Sequence, residues 1–340
     1  MDPFARRRLG RTGVSIGQLG FGGAPLGELY RKLCEATAQS TLEEAYRLGL
    51  RFFDTSPWYG HGLSEHRLGH FLRRQPRESF VLSTKVGRVY TAPADLERVD
   101  TGPWAGGLPF VLRFDYTYDG VKRSYEDSLQ RLGLNRVDLL LIHDLDFHYH
   151  GTEAAVEHYF RQLETGGWKA LDELKSSGTI RGIGAGINQM GIIPRFLDRF
   201  DIDFFLVAMP YTLLDQEPLH AEFPRCVERG VGIVVGAPFA SGILATGPVE
   251  NAKYNYAPAP AGIADKVGRI ESLCGRHGVP LAAAALQFPL GHPIVAAVIP
   301  GAVSPAQVAA NVRMMRIEIP AGLWQELRDD GLIHAEAPTP

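Results

Sequence analysis

The chain has 340 residues, 45% of them hydrophobic, 10% aromatic and 21% charged, a balance that supplies a packed core and excludes a disordered or fibrous polypeptide. Its 35 Lys and Arg stand against 38 Asp and Glu, a formal net charge of -3. No field of that size gathers a polyanion, so nucleic acid is not an expected partner and small molecules become the default.

From the N-terminus, RRLGRTGVSIGQLG reads as a hairpin turning at Arg11, Thr12 and Gly13, placed to plug one mouth of a barrel. Eight short apolar runs then follow: 16–21, 50–55, 80–85, 137–143, 180–185, 204–208, 232–237 and 295–299. Their hydrophobicity is continuous rather than alternating, which predicts strands buried on both faces, as in a parallel sheet covered by helices. Between the runs, Ser40 and Glu43 have the spacing of a capping box, and Gly49 supplies a stop for the same helix. Val121, Tyr125, Leu129 and Leu132 share a helical face ended by Gly133, and Trp168, Leu171 and Leu174 repeat the scheme over 167–177 before Gly178. Eight alternations of strand and helix predict a (β/α)8 TIM barrel over an open doubly wound sheet, as one domain over 1–340.

Three strand-to-strand intervals are longer than one βα unit, at 87–118, 144–161 and 243–262. Each follows the C-terminal end of a strand, the face on which barrels build their sites, so these long loops are expected to form the substrate pocket. The first is rich in rings: Tyr90, Trp104, Phe110, Phe114, Tyr116 and Tyr118.

Three well-separated cysteines, Cys34, Cys226 and Cys274, fit neither a disulfide framework nor a clustered zinc site; they read as small buried residues in a reducing compartment. The opening MDPFARRRLG lacks a following apolar stretch of signal-peptide length, and no run is long enough to span a bilayer. A cytoplasmic protein with no membrane partner is expected.

Asp54, Lys85 and His143 end the second, third and fourth strands, and Tyr59 follows the second in TSPWYGHG. In a barrel they converge on one face, so acid, phenol, ammonium and imidazole are expected to cluster. A phenol ionises near pH 10 and is a poor base at neutral pH, but an adjacent ammonium favours the phenolate. Asp54 would hold Lys85 in place, and His143 would donate a hydrogen bond to a substrate oxygen. Two other patterns carry less. Gly182, Gly184 and Gly186 imitate part of a dinucleotide fingerprint but lack its full spacing and acidic partner. His143, His148, His150 and His158 have no fixed ligand spacing, so solvated loop histidines and no metal are expected.

Taken together, FFDTSPWYGHGLSE, STKVGR and LLLIHD resemble the three catalytic segments of the aldo-keto reductase superfamily. The resemblance implies a barrel with an Asp54, Tyr59, Lys85 and His143 tetrad at its mouth, NAD as cofactor with NADP less favoured, and hydride transfer to or from a small molecule. YGHGLSEHRLG, GAGINQ, YTLLDQ, APFASGILATG and YNYAPAP are similar to the aldose and pyridoxal dehydrogenase branch, which implies oxidation of a cyclic hemiacetal sugar to its lactone, or of pyridoxal. The cofactor residues implied are Gly23, Ala24, Asn188, then Phe239, Ala240, Gly242 and Leu244 over the pyrophosphate, and Gly301, Ala302, Ser304, Gln307 and Asn311 at the adenosine. Ser304 and Pro305 would open a helix whose N–H groups meet a phosphate. Ile187, Ala208 and Gly236 stand where the superfamily usually has a serine, a glutamine and a stacking aromatic. For the substrate, Trp58, Trp104 and Phe110 would stack on C–H faces while Asp144 or His148 bind hydroxyls. Arg88 and Arg113 read as surface charges or as partners of Asp115 or Glu97.

Overall fold

In the computed structural model, which describes residues 1–96, 99–208 and 210–340, the chain opens with a hairpin. Strands β1 (Arg6–Arg8) and β2 (Ser15–Gly17) pair antiparallel. The barrel strands are β3 (Phe21–Gly22), β4 (Phe52–Asp54), β5 (Val81–Val86), β8 (Leu139–His143), β9 (Gly182–Ile187), β10 (Phe204–Val207), β11 (Gly232–Val235) and β14 (Val295–Val298). They form one parallel sheet in chain order. Bridges from Leu19 to Val298 and from Gly22 to Gly301 bring the first strand back to the last and close the cylinder. Two small hairpins ride on the loops: β6 (Arg88–Thr91) with β7 (Val111–Phe114), and β12 (Lys253–Tyr254) with β13 (Ala257–Pro258). The expected (β/α)8 barrel is the observed fold, with one change at its start: the run 16–21 is divided between the hairpin and the first barrel strand.

Continuous hydrophobicity has the cause inferred for it. β5, β8, β9, β10, β11 and β14 are buried at every position. One set of side chains faces the helices, and the other fills the cylinder. The lower filling contains Phe52, Val81, Leu139, Leu141, Phe204 and Val234 together with Leu9, Val14 and Ile16 of the hairpin, which plugs the N-terminal mouth. On β9 the inward positions are Gly182, Gly184 and Gly186. A Cβ on Gly184 would lie 2.6 Å from the Phe204 ring, and one on Gly182 would lie 2.4 Å from the Thr12 side chain. The glycine run is therefore packing space inside the barrel, not a phosphate loop.

Helix ends agree with the sequence at Gly49, Gly133 and Gly178, all of positive φ, a conformation glycine adopts at no steric cost. The first helix corrects it. That helix is Glu35–Leu48 with Cys34 at its cap, so Ser40 and Glu43 lie inside and form no capping box; the Ser40 hydroxyl donates to the Thr37 carbonyl. Cys34 is exposed, contrary to expectation, whereas Cys226 and Cys274 are buried. Among the described residues no helix is long and apolar enough to cross a membrane.

Candidate active site

The C-terminal ends of β4, β5 and β8 deliver Asp54, Lys85 and His143 to the upper barrel, and the turn after β4 returns Tyr59 over them. That turn is held by close backbone contact: a Cβ on Gly27 would lie 2.4 Å from the Tyr59 carbonyl carbon. Lys85 Nζ donates to Asp54 Oδ2 at 2.8 Å, to the Thr55 carbonyl at 2.8 Å and to Tyr59 Oη at 3.0 Å. Ser83 Oγ donates to the other Asp54 oxygen at 2.7 Å. Lys85 and Asp54 are 1% and 2% exposed, so the two form a buried ion pair.

The electrostatics differ from the sequence expectation. Lys85 is paired with Asp54, so it does not offer Tyr59 an uncompensated charge. Burial, reinforced by the Asp54 and Asp144 carboxylates, pushes the Tyr59 phenol well above its ordinary value, with Arg88 pulling the other way. In this state the phenol is a proton donor. His143 is held neutral: burial lowers it well below the usual imidazole range, with Arg88 and Lys85 adding to the effect. Its Nδ1 lies 2.8 Å from Ser56 Oγ, which already accepts from Trp58 N at 3.0 Å. Nε2 lies 3.2 Å from Asp144 Oδ2, which can only accept, so the ring hydrogen is assigned to Nε2 and Nδ1 accepts from the Ser56 hydroxyl.

The tetrad lies in a cavity of about 520 Å³ whose lining runs from Trp58, Trp104 and Tyr149 past Asn188 to Gly236, Phe239, Ser241, Gly22, Gly23, Ala24 and Gly301. One end is walled by rings, the other by small residues and backbone. That shape suits a compact substrate beside a long dinucleotide. Asn188 has a defined orientation: its Nδ2 donates to Asp144 Oδ1 at 2.8 Å and to Asp146 Oδ2 at 3.0 Å. Both amide hydrogens being spent on carboxylates, its oxygen is the group left to accept from a carboxamide, and the cavity fits a nicotinamide cofactor.

The sequence matches the aldo/keto reductase family model over residues 18–329. The chain belongs to the aldo/keto reductase family. It is 42% identical over 336 residues to pyridoxal 4-dehydrogenase of Microbacterium luteolum, covering 96% of this chain and 98% of the relative. It is 39% identical over 335 residues to D-threo-aldose 1-dehydrogenase of a Pseudomonas species, covering 97% of each. An aldo-keto reductase from Bacillus halodurans, solved in its holo form, superposes with a TM-score of 0.73 at 28% identity over 98% of both chains. Nicotinamide cofactors are the family's redox partners, so this reductase is an oxidoreductase.

Within the family frame, several expected residues are not where the sequence put them. Phe110 is exposed and does not line the cavity; its ring faces Tyr90 and its carbonyl lies 3.1 Å from His61 Nδ1. Asp144 lines the cavity, but its carboxylate is taken up by Arg88, Asn188 and His143. Ala240, Leu244 and Ala302 are packed in the core, so their side chains cannot reach a ligand. Ser304, Gln307 and Asn311 stand outside the cavity lining. Ser304 caps its own helix, accepting from Gln307 N at 3.3 Å, and Gln307 Oε1 accepts from Val303 N at 2.9 Å. Pro305 has no N–H, so this helix start offers a phosphate less than expected.

Gly23, Ala24, Asn188, Phe239, Gly242, Gly301, Trp58, Trp104 and His148 do line the cavity. So do Tyr30, Tyr149 and Tyr256, which the sequence reading did not name; the last two come from the second and third long loops. Arg88 is no surface charge: it is 2% exposed and paired with Asp144 at 2.9 Å. Arg113 pairs with Asp115 at 2.9 Å, while Glu97 lies outside the described residues. The histidines are dispersed. His150 is packed among Phe114, Tyr116 and Tyr159 rather than solvated, and burial lowers it to about 4. His158 contacts Gln162. The three potential ligand groups that the described residues do bring together, His220, His334 and Glu336, are all exposed and outside the cavity.

Proposed function

We propose that this aldo/keto reductase is an NAD-dependent dehydrogenase of cyclic hemiacetals, acting on a small neutral sugar of the L-fucose, L-galactose or D-arabinose type and releasing its lactone. The observation that carries this is the juxtaposition of Tyr59 Oη, Lys85 and His143 with a ring-walled cavity in whose lining, among the described residues, the one lysine or arginine is Lys85, itself paired with Asp54. A phosphorylated sugar would need an uncommitted cationic clamp. A neutral ring stacks on Trp58 and Trp104.

In the oxidation the anomeric O–H and C–H bonds break and a carbonyl forms. The bound nicotinamide supplies the hydride acceptor. Tyr59, ionised, takes the hydroxyl proton, and Lys85 holds its oxygen. His143 donates from Nε2 to the same substrate oxygen and fixes its direction, while Asn188 presents its amide oxygen to the carboxamide. The preference for NAD rests on Gly301 and Gln307, which stand where NADP-using relatives would have a lysine and an arginine.

Pyridoxal is the second reading, because it also closes to a hemiacetal and because Asp144, the carboxylate expected to bind sugar hydroxyls, is already engaged. NADH formation with L-fucose, L-galactose, D-arabinose, D-glucose and pyridoxal decides between them. The expected result is turnover of the first three and little of D-glucose. Pyridoxal alone being oxidised assigns the second reading, and no turnover of any of the five sinks the hemiacetal proposal.

A further inference from the structure

Asp144 is the residue immediately after β8. It has a φ of 51°, a left-handed conformation that a non-glycine residue adopts at a cost and that recurs at functional positions. Its backbone N–H is tied to the Gly186 carbonyl at 3.0 Å, so the strained position is held between two barrel strands. The carboxylate has three partners. Oδ2 accepts from Arg88 Nη2 at 2.9 Å and faces His143 Nε2 at 3.2 Å, while Oδ1 accepts from Asn188 Nδ2 at 2.8 Å.

Arg88 comes from β6, the hairpin of the first long loop, and its guanidinium lies among three rings. Its central carbon is 5.1 Å from the centre of Trp58, 4.8 Å from Phe114 and 4.7 Å from Tyr149. Such a cation has little freedom to move, and its attraction to the ring faces offsets part of its desolvation. An ion pair serving only to anchor the hairpin would need no second partner in the cavity. Here the same carboxylate also accepts from Asn188, a side chain that lines the cavity.

We propose that Asp144, immobilised by Arg88, is a positioning residue that fixes the Asn188 amide so that its oxygen is presented to the nicotinamide carboxamide. A carboxylate has two accepting oxygens and can serve Arg88 and Asn188 at once; an amide has one. That difference defines the test. In Asp144→Asn the single oxygen turns to the buried Arg88, whose charge needs it most, and the new N–H2 faces Asn188. Asn188 then keeps only Asp146 Oδ2 as acceptor, so its amide is free to swing and its oxygen is no longer fixed toward the cofactor.

The proposal rests on the reading that Asn188 faces the nicotinamide, so the experiment is a double-substitution cycle on NAD affinity, read by quenching of tryptophan fluorescence with no substrate present. Asn188→Ala alone should weaken NAD binding about tenfold, as loss of one hydrogen bond in a dry site does. Asp144→Asn should weaken it comparably in the parent enzyme and add nothing further in Asn188→Ala. Additive effects overturn the proposal while leaving the Asn188 reading standing. Unchanged affinity in Asn188→Ala overturns both. A merely structural role would lower affinity in both backgrounds alike. Should Asp144→Asn not fold, Arg88→Lys carries the same cycle: it retains the charge but not the guanidinium's reach and fork, and its effect should likewise vanish in Asn188→Ala.

Discussion

At the scale of single residues the chemistry turns on one phenol. Tyr59 is pushed well above its ordinary value by burial and two carboxylates, so the basic form needed for oxidation grows only as the medium becomes alkaline. With His143 held neutral from below the usual imidazole range upward, no imidazole titration interrupts that rise. The rate of NADH formation is expected to climb steadily from neutral pH to about pH 10. Tyr59→Phe should remove turnover while NAD still quenches the protein fluorescence; a kcat more than a few per cent of the parent's would indicate another base. Cofactor choice belongs to this scale as well. A lysine at Gly301 is obstructed, since a Cβ there would lie 2.4 Å from the Pro25 side chain. Gln307→Arg is the cleaner change, because position 307 is exposed. One added charged hydrogen bond to a 2'-phosphate, worth about 1.5–3 kcal/mol, should raise kcat/KM with NADP tenfold or more relative to NAD. No change in that ratio would place the ribose elsewhere.

The tetrad residues were legible in the sequence because each is fixed by a strand end or by the turn next to it. Arg88 was not legible. Its burial depends on a hairpin folding back over the barrel, and nothing in a loop's composition states which way its side chains point. Phe110 is a case of the same kind: aromatic character alone points it to the cavity, yet it is exposed and lies outside the cavity lining.

Elements show the same division between local and tertiary signals. Gly49, Gly133 and Gly178 end helices because positive φ is a local demand, whereas Ser40 and Glu43 imitate a cap inside a helix that tertiary packing begins earlier, at Glu35. The helix Ile192–Arg199 and the helix Phe223–Arg229 are joined by a buried carboxyl that no sequence pattern announced. Glu222 Oε1 accepts from Gly191 N at 2.5 Å, and Oε2 has no partner among the described residues. Burial raises this carboxyl to about 7 from an ordinary 4.5, Gly191 opposing and Glu217 adding to the rise. Between those values the folded chain keeps a proton that the unfolded chain has lost, so stability from this group is full below about 4.5 and lost as pH passes through about 7. Glu222→Gln keeps the acceptor for Gly191 and cannot ionise. It should stabilise the protein by an amount on the order of 1–3 kcal/mol at about pH 8 and by little at about pH 5. Thermal unfolding at the two pH values checks this, and an equal effect at both would mean that Glu222 titrates normally.

At the scale of the whole molecule, the barrel has two ends with different tasks. All three long loops are expected at the C-terminal face because each follows the end of a strand, and each contributes to the cavity there: Trp104 from the first, Tyr149 from the second and Tyr256 from the third. Among the described residues, the N-terminal mouth carries packing rather than candidate chemistry. It is filled by Leu9, Val14 and Ile16 of the hairpin, each at most 1% exposed and packed on Phe52, Val81, Leu139 and Phe204. Leu141 and Leu206 belong to that same filling, and Leu206 also reaches the cavity lining, so the two ends are separated by layers of close-packed side chains. Damage to the plug should therefore be a stability defect and little else. Leu9→Ala removes a fully buried leucine from a site with no room to collapse and should cost about 2–5 kcal/mol of unfolding free energy, visible as an earlier denaturant midpoint. KM for substrate and the affinity for NAD, measured well below the unfolding transition, should stay within about twofold of the parent values, since a packing defect this far from Lys85 and Tyr59 acts independently of them. A marked change in either constant with no loss of stability would show that the plug and the tetrad are mechanically coupled through the barrel interior.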